Sequence, residues 1–174
     1  MPFFFHNETK NRKATLFAQQ LEEQFSRFAK RIRDILARMS AQPFTLRETT
    51  NIIFTGKSKI KHLNLRYRGQ NEVTDVLTFP GERGKSQHYA DIFICYPKAL
   101  HQAKFYHNQP EEELLLLSIH GLVHAAGLDH EIPEQKELFC EIEEKLVALL
   151  NFRSNLGLTT RSESSHNNKR SFAQ

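Results

Sequence analysis

The residues of this chain best suited to chemistry lie in one short run, His120-Gly121-Leu122-Val123-His124-Ala125-Ala126-Gly127-Leu128-Asp129-His130. His120 and His124 are four residues apart. On a helix their imidazoles project from one face and can reach one ion. Gly127 can take the left-handed conformation that ends a helix. The turn that follows brings His130 in as a third ligand. Three neutral ring nitrogens suit one Zn²⁺ per chain and leave a fourth position for water, the mark of a catalytic rather than a structural site. A zinc ion there would lower the pKa of that water towards about 7. Three imidazoles in so apolar a stretch would be costly to bury without a common partner.

The spacing H-x-x-x-H-x-x-G-x-x-H is also that of the metzincin proteases, which carry glutamate directly after the first histidine as general base. Here that position is Gly121, so a peptidase would lack its proton acceptor. Asp129 is the nearest carboxylate in sequence. It could act as a base, orient a ligand, or simply form the turn before Pro133. Asp91 reads as a strand-edge surface carboxylate, with a ligand-orienting role as the alternative. His62, His88, His101, His107 and His166 have no partner at ligand spacing.

Several elements must position this run. Phe17, Leu21, Phe25, Phe28, Ile32, Ile35 and Met39 recur at three- and four-residue steps, which predicts a helix over 14–39. Residues 44–55 read as one or two strands closed by Gly56, and Ser58 as the N-cap of a short helix to about Asn64. Strands are expected at 74–79 and 90–96, stopped by Pro80 and Pro97, with a turn between and a helix over 98–107. Asn108, Pro110 and Glu111–Glu113 predict a strong helix start. That helix runs to about Ala126, is apolar nearly all round, and so belongs in the core. Pro133 opens a last amphipathic helix to about Phe152. About five helices with a small sheet of about four strands make an α+β protein. It reads as one domain, 1–153, with a polar tail, 154–174, whose composition predicts disorder.

The chain has 174 residues and a formal net charge of +4. The distribution of charge says more. Residues 1–70 hold 14 Lys/Arg against 5 Asp/Glu, whereas residues 111–153 hold 3 against 10. A basic half suits a phosphate-backbone partner, because neutralised phosphates release counterions. Lys57, Lys59 and Lys61 could line a groove for such a partner or form an ordinary solvated helix face. No apolar run is long enough to span a bilayer, and the N-terminus lacks a basic region ahead of its apolar patch, so neither a membrane nor a signal peptide is expected. Cys95 and Cys140 lie in apolar stretches and are expected to be reduced buried thiols. Together these readings predict a cytoplasmic protein.

HGLVHAAGLDH resembles the H-G-x-x-H-x-x-G-x-D-H signature of the YbeY family of bacterial endoribonucleases. Leu63-Asn64-Leu65-Arg66-Tyr67-Arg68-Gly69, followed by Thr74-Asp75-Val76-Leu77-Thr78-Phe79-Pro80, is similar to that family's L-N-x-x-Y-R-G and T-[ND]-V-L-S-F-P blocks. Ala90-Asp91-Ile92 is similar to its G-D-I strand start, with alanine for glycine. The resemblance spans about residues 50–150 in the same order. It implies a small mixed sheet packed with helices, akin to the zincins, and zinc on His120, His124 and His130. It implies single-stranded RNA as substrate, in maturation of the small-subunit ribosomal RNA 3′ end and ribosome quality control, with small-subunit components as possible partners. It carries a functional arginine to Arg68, which would clamp a phosphate and stabilise developing charge. The competing readings are a zincin-like metalloprotease and a non-enzymatic ribosome-assembly factor braced by a structural metal.

Overall fold

The computed structural model describes residues 2–39, 49–81 and 88–150. The order of elements is β1 (Phe3–Asn7), α1 (Arg12–Met39), β2 (Thr49–Thr55), α2 (Lys57–Arg68), β3 (Val76–Pro80), β4 (His88–Cys95), α3 (Tyr96–Phe105), α4 (Pro110–Ala125) and α5 (Pro133–Leu150). The four strands form one mixed sheet in the order β1-β2-β4-β3. β1, β2 and β4 are parallel, and β3 runs antiparallel to β4 along the edge. This is the expected α+β class, with five helices among the described residues.

Alternation along the strands gives the sheet two unlike faces. Phe3, Phe5, Ile52, Phe54, Ala90, Ile92 and Ile94 point into the main core with α1, α4 and α5. Leu77 and Cys95 point the other way, against Ile60 of α2, with Leu63, Phe79 and Phe93 packed around them. So α4 and α2 lie on opposite faces of the sheet. α1 closes the main core with Leu21, Phe25, Ile32 and Leu36, all fully buried. Its Gln24 amide donates to the Leu150 carbonyl at the end of α5, and its Glu22 carboxylate accepts the Phe5 N–H on edge strand β1.

The structure corrects several expectations. β1 is a strand not anticipated in the N-terminal apolar patch; its alternating buried and exposed residues are its signature. α2 starts a residue before Ser58, with Gly56 as N-cap, and runs on to Arg68. α4 is capped by Gln109 rather than Asn108, with a reciprocal bond to Glu112. Asn108 instead donates to Glu113. Pro80 does not stop β3 but ends it in register with Ala90, which an edge strand tolerates. Asp91 lies on central strand β4, half-buried, accepting from Asn51. Cys95 is buried and Cys140 exposed, and both are free thiols. The expected start of a strand at 44–48, the turn at 82–87, the end of the last helix and the polar tail lie outside the described residues.

Candidate metal centre

His120 and His124 lie on α4, the most deeply buried helix of the fold. Two things hold α4 in register. At its N-terminus the Gln109–Glu112 capping box satisfies free backbone N–H groups, and Glu111–Glu113 complement the dipole. In its middle Gly121 lies flat on the sheet. A β-carbon there would stand 2.5 Å from Ile92 Cγ2 and 3.1 Å from Thr78 Oγ1. The Thr78 hydroxyl, where the related pattern has serine, donates to the Gly121 carbonyl at 3.2 Å. Gly121 thus sets the depth of the helix on the strands. A glutamate there would point into the sheet, so the general base of a zincin protease has no room at that position.

α4 ends as its sequence requires. Gly127 adopts φ 87°, and its N–H bonds the His124 carbonyl at 2.9 Å. Asp129 then makes the turn: its Oδ1 accepts the Glu131 N–H at 2.9 Å, and its own N–H donates to the Gln135 side chain. This Asx turn returns the chain to α4 with His130 facing the first two histidines.

One ring nitrogen from each of His120, His124 and His130 lies within 4.8 Å of the others. The Nε2 atoms of His120 and His124 are 3.1 Å apart. Ring centroids are separated by 4.6 Å for His120–His124 and 5.2 Å for each pair with His130. Phe139 of α5 forms the apolar wall, with centroids 4.9–5.2 Å from all three imidazoles. Burial, followed by the neighbouring His120 and His130, pushes the His124 pKa down to about 4. That ring is therefore neutral at physiological pH, as a metal ligand must be.

Glu143 of α5 was not anticipated from the sequence. Its Oε1 lies 2.9 Å from His120 Nδ1. Hydrogen-bonded in this way, Nδ1 carries the proton and Nε2 keeps its lone pair for a metal, the usual carboxylate–histidine arrangement. The signal was present: Glu143 is four residues from Phe139 and next to Ile142 on the buried stripe of α5, an odd place for an acid. The three-nitrogen donor set, the neutral His124 ring and the supporting carboxylate fit one divalent ion.

The remaining candidates lie elsewhere. Arg68 is the exposed last residue of α2, on the face of the sheet opposite α4. Lys57 and Lys61 are exposed along the same helix, while Lys59 is held by Glu8 at 2.5 and 2.7 Å. Their helix packs on the face of the sheet opposite the one that α4 covers. Asp91 alternates with Ala90 and Ile92, so it points away from α4, and it accepts from Asn51.

Fold and site together define a small α+β protein with a three-histidine group able to hold one metal ion. A family profile described as Endoribonuclease YbeY matches residues 8–151, most of the chain. The chain belongs to the endoribonuclease YbeY family. An endoribonuclease YbeY from Thermotoga neapolitana is 42% identical over 92 residues, covering 52% of this chain and 60% of that relative. One from Thermus thermophilus is 34% identical over 123 residues, 68% of this chain and 88% of the relative. One from Spiroplasma citri is 29% identical over 154 residues, 83% and 90% of the two chains. A solution structure from Thermotoga maritima superposes with TM-score 0.54 at 28% identity, covering 97% of this chain and 99% of that one.

Proposed function

We propose that this chain is a zinc-dependent endoribonuclease that cuts single-stranded RNA, acting in the cytoplasm on the 3′ end of small-subunit ribosomal RNA. One observation carries the hydrolytic part. Three imidazole nitrogens converge within 4.8 Å beside a carboxylate that fixes the tautomer of one of them. Membership of an endoribonuclease family supports RNA as the substrate. The ribosomal role follows from the resemblance of the sequence blocks alone.

His120, His124 and His130 would hold the ion, which when bound supplies Lewis-acid activation of water and charge stabilisation. The chain's own residues do the rest. Glu143 holds the His120 proton at Nδ1. Asp129 holds the turn that delivers His130, and its charge acts on His124. Arg68 clamps a phosphate, and Lys57 and Lys61 neutralise its neighbours along the strand. Phe139 keeps bulk water from the back of the site.

The test pairs metal content with cleavage. About one zinc per chain, lost in His124→Ala, together with zinc-dependent cleavage of single-stranded RNA lost in the same variant, is the expected result. Intact RNA with and without zinc would overturn the nuclease reading. A His124→Ala chain that cannot fold would favour a metal that only braces the structure.

A further inference from the structure

On the face of the sheet opposite the histidines, aromatic rings form a continuous ladder beside α2. Tyr67 meets Phe79 edge-on at 4.9 Å between centroids, and Phe79 meets Phe93 at 5.8 Å. Tyr67 is 58% exposed at the open end of this ladder. Single exposed aromatics are ordinary, but this one ends a series of rings set among cations. The Arg66 guanidinium stands 5.4 Å from the centre of the Tyr67 ring, and the Lys59 ammonium 5.3 Å from that of Phe93. α2 carries five Lys/Arg and no Asp/Glu between Lys57 and Arg68.

We propose that Tyr67, backed by Phe79, is a base-stacking subsite for single-stranded RNA, on which an unpaired base lies while Arg66 and Arg68 hold its flanking phosphates. This deepens the endoribonuclease reading and rests on it. Rings bind bases through their faces, whatever the base, and cations bind the backbone. The two together are how single strands are held without sequence preference. A duplex hides its base faces in its own stack and cannot use such a ring. The strand order supplies the connection to the histidines. Thr78 and Phe79 are neighbours on edge strand β3 and point to opposite faces. Thr78 touches Gly121 beside His120, whereas Phe79 touches Tyr67. A strand that rounds this edge meets both.

The test is fluorescence anisotropy of the full-length, zinc-loaded chain with a labelled single-stranded oligoribonucleotide, its integrity checked on a gel. The same sequence with abasic positions, and as a duplex, serve as companion probes. Tyr67→Ala is expected to weaken binding of the native strand roughly tenfold, with Tyr67→Phe staying near wild type. It should leave the abasic strand and the duplex unchanged. Thermal melting of Tyr67→Ala, expected to match wild type at so exposed a position, separates lost stacking from lost fold. Equal weakening of native and abasic probes would overturn the stacking subsite, as would wild-type affinity in Tyr67→Ala, which would leave the ring to a protein partner. A wild-type chain that binds no RNA would instead remove the endoribonuclease reading beneath it.

Discussion

At the scale of single residues, the site depends on groups that hold the histidines and their helix in place. Removing the Glu143 charge while keeping its shape, in Glu143→Gln, is expected to lower zinc affinity by about 10- to 100-fold. Competition with a chromophoric chelator measures this directly, and unchanged affinity would show that the carboxylate only packs against His120. Gly121→Ala forces a methyl group against Ile92 Cγ2, a branch at the β-carbon that cannot swing away. The expected loss is about 1–3 kcal/mol of stability, read from urea denaturation of the metal-free chain. What could be read in advance divides along these lines. The three histidines and Gly127 follow from helical spacing and glycine's conformational freedom. Glu143 and Phe139 come from a different helix, and no local period says which faces of α4 and α5 will meet.

At the scale of elements, the connections are where stability can be tuned. Asp75 opens β3 and ties it to its neighbours. It accepts from Gln102 of α3 at 2.8 Å and from the Val76 N–H at 3.1 Å, and its carbonyl takes the Cys95 N–H. Burial alone would raise its pKa, but the Gln102 hydrogen bond and the nearby Lys98 charge outweigh it and hold the carboxyl below its ordinary 3.8. The native state therefore binds that proton less readily than the unfolded chain. The contribution is complete above the ordinary value and is lost as pH falls through the folded one. Asp75→Asn should accordingly lose less stability than wild type between about pH 5 and about pH 3, compared by urea midpoints; parallel losses would contradict it. Periodicity located five helices and three strands of the sheet but missed β1, because five residues of phenylalanine, histidine and asparagine read as a patch rather than an alternation. It also ended α2 too early. Asn64, buried and donating to the Glu72 carbonyl, looks like a helix stop in sequence. It braces the loop beyond Gly69, whose φ of 72° makes the real end.

At the scale of the whole molecule, the ion would tie α4, the following turn and, through Glu143, α5 into one unit. Zinc at about a hundred times its dissociation constant should add about 2.7 kcal/mol, or roughly 5–11 °C in melting temperature for a chain of this size. Addition of chelator should reverse the gain, and His124→Ala should show none. The sequence showed the division of charge between halves, basic to residue 70 and acidic after 110, but not that the sheet would set α2 and α4 on opposite faces. That placement has a mechanical consequence. A polymer that engages both Tyr67 and the histidines would round the edge strand β3, whose Thr78 and Phe79 face the two sides. A double helix resists such a turn, since its persistence length is tens of nanometres, about 50 nm for DNA, whereas an unpaired strand bends within a few nucleotides. Stiffness would then add to the stacking ring of Tyr67 in discriminating unpaired from paired substrates.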